Sequence, residues 1–145
     1  MLYFDTSFLV PLLIPEETSM RIEGFFHHHP PEEMLAVSQW TRIEFASVLP
    51  RLVRMRQFDL HVARECAERF TRLLDESFNI IAPGEGDFGR CWDFLVRFDN
   101  GLRAGDALHL AIAENHGAEK IYTLDNGLLA AGKLLKLPVD RGITL

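Results

Sequence analysis

Apolar residues along this chain fall into two kinds of segment, short uninterrupted runs and longer stretches with an apolar position every three or four residues. The short runs predict strands at Leu2-Tyr3-Phe4, Met34 to Val37, Phe78 to Ala82, Lys120 to Leu124 and Leu137-Pro138-Val139. A run without polar alternation suits a strand buried on both faces. The longer stretches predict helices. The first is Phe8 to Leu13, with Pro11 in its opening turn and Pro15 as its stop. A second starts with Glu16 and Glu17 and continues through Ile22 to Phe26. A third follows Ser38, a natural N-cap, and carries Trp40, Ile43, Ala46, Leu49 and Val53 on one side. Pro50 lies inside that pattern and predicts a kink or a split, because it lacks an N–H and crowds the preceding turn. Further helices are expected at Leu60 to Leu74, Phe88 to Phe98, Gly105 to Ala113 and Asn126 to Leu135. Asn100-Gly101 marks a turn, and Gly117 a helix stop. Strands alternating with helices predict an α/β fold, a three-layer α/β/α sandwich around a central, mainly parallel sheet. With no repeat, low-complexity segment or linker, residues 1–145 read as one domain.

Composition narrows the classes. Hydrophobic residues make up 48% and charged residues 25%, the balance of a globular chain. No apolar run is long enough to span a bilayer. The first residues lack a basic segment, and Asp5 interrupts the apolar run, so a signal peptide is not expected and the cytoplasm is. Cys66 and Cys91 stand far apart, outside any C-x-x-C pair, which fits neither a zinc site nor a disulfide framework. His27-His28-His29 runs into Pro30-Pro31 and reads as a surface loop, since adjacent side chains diverge too much to share a metal.

The net charge of −6 argues against nucleic acid until its distribution is considered. Residues 41 to 72 hold seven arginines against four acids. A basic flank on an acidic body suits an acidic, cation-holding pocket beside a phosphate-binding rim. A solvated arginine-rich helix face explains the same run without function.

Four acids occupy distinctive settings. Asp5 ends the first strand, Glu44 lies inside the third helix, Asp106 begins a largely apolar helix, and Asp125 ends the fourth strand. Each has an ordinary reading: a cap, an exposed helix charge, an N-cap, a turn. Strand ends and helix starts, however, lie on one edge of a parallel sheet, where such folds place their ligands. Glu44, in mid-helix, is outside that argument.

With these residues in view, the chain resembles the PIN-domain nucleases, and among them the VapC-like toxins of toxin–antitoxin pairs. The resemblance rests on F-D-T-S at 4 to 7, R-I-E-F-A at 42 to 46, G-D-A-L-H-L-A at 105 to 111 and Y-T-L-D at 122 to 125, in the family's order. It implies that Asp5, Glu44, Asp106 and Asp125 form the catalytic, metal-binding set. Thr6 and Ser7 match supporting hydroxyls, Thr123 a weaker one, and Asn126 a position where some relatives place a further polar ligand. It implies an RNA substrate cut to a 5′-phosphate and a 3′-hydroxyl, an antitoxin partner that inserts a C-terminal segment into the active-site groove, and a homodimer. With Asp5 a ligand, capping is left to Thr6 or Ser7.

Oxygen donors with no committed His or Cys select Mg²⁺ or Mn²⁺. Such an ion generates hydroxide near neutral pH and neutralises charge on a phosphate, and two ions would sit about 3.5–4 Å apart. His109, one turn after Asp106, reads as a hydrogen-bonded, semi-buried histidine rather than a ligand. Arg42, Arg51 and Arg54 are candidates for RNA phosphates, and Val53 and Phe58 for apolar contacts with a partner. A haloacid-dehalogenase-type phosphatase needs a second Asp two residues after the first, and that position is Ser7. A receiver-like module lacks its early acidic pair. A non-toxin RNA-processing nuclease and a catalytically silent PIN scaffold remain as alternatives.

Overall fold

The computed structural model describes residues 1–145. The apolar runs form β1 (Leu2–Phe4), β2 (Leu35–Ser38), β3 (Asn79–Ile81), β4 (Lys120–Tyr122) and β5 (Val139–Asp140). They pair in one all-parallel sheet of order β3-β2-β1-β4-β5. β1 sits at the centre, with Leu2 opposite Leu35 on one side and Lys120 on the other. The seven helices are α1 (Thr6–Leu13), α2 (Ser19–His27), α3 (Gln39–Arg54), α4 (Leu60–Ser77), α5 (Glu85–Leu95), α6 (Ala104–Asn115) and α7 (Asn126–Leu134).

Side chains alternate across the pleat, so each strand feeds two cores. Leu2, Phe4 and Val37 pack with Phe8, Ile22, Phe45 and Phe70 beneath α1 to α4. Tyr3, Ala36 and Ile121 pack with Phe94, Leu110, Ile112 and Leu128 beneath α5 to α7. These two cores on opposite faces are the predicted three-layer sandwich. α6 is buried without a break from Ala107 to Ala113, as its composition predicts. No helix is long and apolar enough to cross a membrane.

Helix boundaries depart from the expected ones for local reasons. α1 begins at Thr6 because Asp5 caps it, which places Pro11 deeper in the helix than its first turn. α2 begins at Ser19, so Glu16 and Glu17 precede it. Ser19 Oγ donates to the Pro11 carbonyl at 2.7 Å and accepts from the Glu16 N–H, which holds the link as a turn. α3 runs through Pro50 without a split. The Ala46 carbonyl that Pro50 cannot serve lies on the exposed side, where water replaces the lost donor. α5 starts a turn earlier than predicted and ends at Leu95. His27 closes α2, and His28 Nδ1 donates to the Gly24 carbonyl at 2.7 Å, so the histidine run is half helix end and half loop.

One buried acid has a role that periodicity does not reveal. Asp87 in α5 is 4% exposed. It accepts from the Gly84 N–H at 2.9 Å, from Asn115 Nδ2 at 2.9 Å and from His116 Nε2 at 3.2 Å. It therefore caps α5 and ties it to the end of α6, where Gly117 takes φ +74°. Burial pushes the Asp87 carboxyl up, but these donors outweigh it and hold it below the usual carboxylate range. A folded pKa below the unfolded value of about 3.9 means stabilisation that is present above that value and lost as pH falls through the folded pKa. Asp87→Ala is expected to cost about 1–3 kcal/mol by urea unfolding at pH 7, by stranding those donors. The gap from wild type should narrow below about pH 4.

Candidate active site

From β1 the chain crosses to β2 on one side, and from β4 to β5 on the other. The carboxyl ends of β1 and β4 are thus a topological switch point, where a crevice opens between diverging connections. Asp5 and Asp125 follow those two strands closely. Asp5 Oδ1 accepts from the Phe8 N–H at 3.1 Å and caps α1. Asp125 Oδ1 accepts from the Leu128 N–H at 2.8 Å and caps α7. Capping is therefore done by Asp5 itself, not by Thr6 or Ser7. The two hydroxyls point elsewhere because Asp5 already occupies the cap position.

Hydroxyls stitch the two strand ends together. Thr123 Oγ1 donates to Asp5 Oδ2 at 2.7 Å and accepts from the Asp125 N–H at 3.0 Å. Ser7 Oγ donates to Asp5 Oδ1 at 2.7 Å and accepts from the Leu124 N–H at 2.9 Å. Asp5 is 3% exposed, and its burial raises the carboxyl pKa despite His109 and these donors.

Glu44 reaches the crevice from mid-α3. Its Oε2 accepts from Thr6 Oγ1 at 2.5 Å and from His109 Nε2 at 2.6 Å. Burial pushes this carboxyl up as well, but His109 and Thr6 outweigh it and the net shift is downward. His109 is 1% exposed, fully rather than semi-buried, and its Nδ1 lies 2.8 Å from the Tyr3 hydroxyl. Tyr3 in turn meets Ser38 Oγ at 3.1 Å. The start of α6 passes against the same carboxylate: a Cβ at Gly105 would sit 2.7 Å from Glu44 Oε1 and 3.1 Å from the Trp40 ring. Tyr3, Gly105 and Trp40 thus join the site without having been singled out by sequence. The signal for Tyr3 was its hydroxyl in an otherwise apolar buried strand.

Asp106 occupies the first turn of α6, whose N-cap position is Arg103, so it is not a cap. Burial raises its carboxyl pKa, and repulsion from Asp125 and then Glu44 raises it further. The acids therefore share an electrostatic neighbourhood, although as placed no three potential ligands converge on one point. Carboxylate and hydroxyl oxygens at a helix start and two strand ends are a donor set for a hard divalent cation, whose charge would relieve that repulsion.

The arginines separate. Arg51 lines a cavity of about 370 Å³ together with Ser7, Leu124 and Asp125. Arg42 instead pairs with Asp75 of α4 at 3.7 Å, and Arg54 lines a groove between α3 and α4. Asn126 accepts from Arg141 at 2.5 Å.

The family model for the PIN domain matches residues 2–134. No curated protein matches the chain in sequence. Among solved structures, the fold is similar to that of Mycobacterium tuberculosis VapC20, a sarcin-ricin loop cleaving toxin, with TM-score 0.71 and 21% identity over 91% of this chain and 95% of that one. FitAcB of Neisseria gonorrhoeae gives 0.71 and 17% over 98% of each chain. VapBC-1 of nontypeable Haemophilus influenzae gives 0.70 and 17% over 98% of each chain. At these identities the structural likeness speaks to the fold, while the family match covers nearly the whole sequence: the chain belongs to the PIN-domain family.

Proposed function

We propose that the chain, as one PIN domain over residues 1–145, is a Mg²⁺- or Mn²⁺-dependent ribonuclease and the toxin of a toxin–antitoxin pair. The observation that carries this reading is the electrostatic one: Asp106 is held protonation-prone by burial, Asp125 and Glu44, and the carboxyl of the buried Asp5 is raised as well. Carboxylates strained in this way are what a divalent cation relieves. When bound, the cation supplies a water made nucleophilic near neutral pH and offsets charge on the scissile phosphate. Asp5, Glu44, Asp106 and Asp125 would hold it. Ser7 and Thr123 fix the Asp5 carboxylate, Thr6 fixes Glu44, and Arg51 stands at the rim to bind a backbone phosphate.

Two protein contacts complete the reading. The α3–α4 groove of about 500 Å³ is floored by Leu49, Val53 and Ala63 and flanked by Arg54 and Arg64. It suits an apolar antitoxin segment with acidic flanks. Val53 and Phe58 are both half-buried against the core, and of the two only Val53 lines this groove. The solved relatives include a toxin–antitoxin complex from Klebsiella pneumoniae. A second copy of the chain would use the exposed aromatic side of α5 and its end, Phe88, Trp92 and Phe98.

Wild type should cleave RNA with Mg²⁺ or Mn²⁺ and not with EDTA, and Asp5→Asn should lose at least about 100-fold in rate. Cleavage indifferent to EDTA, or an equally active Asp5→Asn, would refute the metal-nuclease reading. No cleavage of any RNA tested would favour a silent scaffold. Arg51→Ala should flatten the salt dependence of RNA binding by about 0.7 in log–log slope, and Arg42→Ala should leave it unchanged. Trp92→Glu should shift a dimer to monomer in light scattering, and an unchanged mass would discard the α5 contact.

A further inference from the structure

Glu44 is the one acid of the set with no rigid strand end or helix start beneath it. Its side chain projects from the middle of α3 and is 27% exposed, so by itself it would sample several rotamers. Behind it lies a buried polar chain with no solvent role. The Ser38, Tyr3 and His109 side chains are shielded by the sheet and α6, and they end on Glu44 Oε2.

We propose that His109, backed by Tyr3, is a positioning residue for Glu44. Its Nε2–H holds Oε2 so that Oε1 stays at the start of α6, beside Gly105. The assignment of the ring proton follows from the partners. An ionised carboxylate only accepts, so Nε2 must donate. Tyr3 then serves either form of the ring. It donates to Nδ1 when the imidazole is neutral. It accepts from Nδ1–H and donates to Ser38 when the ring is charged. Glu44 therefore keeps its donor in both. Tyr3 is held within β1 and its ring is fully buried, so the anchor for a mid-helix carboxylate is the central strand of the sheet. The space is also closed from the other side, because a Cβ at Gly105 would strike Oε1. What Glu44 does once positioned rests on the nuclease reading; where it stands does not.

The test uses the full chain as wild type, His109→Leu, His109→Gln and Tyr3→Phe. Imidazole ¹⁵N spectra should show His109 protonated at Nε2, with that resonance moved by Glu44→Gln. Mn²⁺ affinity, followed by electron paramagnetic resonance of the free ion, should fall about 10–100-fold in His109→Leu and by less in Tyr3→Phe. Gln at 109 can both donate to Glu44 and accept from Tyr3, and should restore most of the loss. RNA cleavage should lose kcat with KM little changed. A proton on Nδ1 alone, or Mn²⁺ binding by His109→Leu as tight as wild type, overturns the proposal. Faster cleavage by His109→Leu would also overturn it, by making the ring a latch. If His109→Leu does not fold, Tyr3→Phe and His109→Gln carry the comparison. If wild type neither binds Mn²⁺ nor cleaves RNA, the nuclease reading fails and the imidazole spectrum alone decides the positioning.

Discussion

A carboxylate buried as deeply as Asp5 must be given partners from every side, and the way this chain supplies them shapes the rest of the fold. One partner is the Phe8 N–H in the first turn of α1, and this cap fixes where that helix starts. Two are hydroxyls, and they come from both sides of the β1–β4 junction, Ser7 from α1 and Thr123 from the end of β4. The demand of a single side chain thus pins the central strand, its neighbour and the first helix in register. The backbone supports the same junction, since the Asp5 N–H donates to the Tyr122 carbonyl. These donors lower the cost of burial without removing it, and burial still leaves the Asp5 carboxyl pKa raised.

The second carboxylate is handled differently. Glu44 is not capped or strand-mounted, so its orientation comes from the outside, through Thr6, His109 and the absence of a side chain at Gly105. The two arrangements meet at the Thr6–Ser7 dipeptide. Thr6 turns to Glu44 and Ser7 turns to Asp5, because successive residues of a helix point about 100° apart. A pair of adjacent hydroxyls therefore serves two acids that approach from different layers.

β1 and β2 were legible because they are buried on both faces, and only continuous apolar runs satisfy that environment, whereas in β4 only Ile121 is fully buried. The acids at strand ends were legible for a related reason: a polar residue that stops a buried run marks the sheet edge. Helix boundaries were less so. α3 closes beyond Met55 with Arg56 at φ +57°, and α7 beyond Leu135 with Lys136 at φ +60°, positions where glycine would have advertised the stop. Pro50 signalled a break that solvent at Ala46 makes unnecessary. The Ser19 contact that delays α2 depends on a carbonyl eight residues away, beyond any local pattern. Within the site, Glu44 rested on family resemblance, because a mid-helix acid carries no positional signal. Tyr3 and Gly105 act across long sequence separations, and a single sequence does not reveal such pairings.

If Asp5 and Asp125 hold the cation as proposed, their double duty as ligands and helix caps has an evolutionary consequence. Both start helices, so selection for folding alone would retain them after activity had decayed. Glu44 and Asp106 cap nothing, and burial makes Asp106 costly to keep charged. In a collection of related chains, the first pair would persist as fossils in inactive members, while the second pair would drift first. Retention of Glu44 and Asp106 together, with glycine still at 105, is therefore the more informative mark of a working member than the strand-end aspartates that are easiest to see.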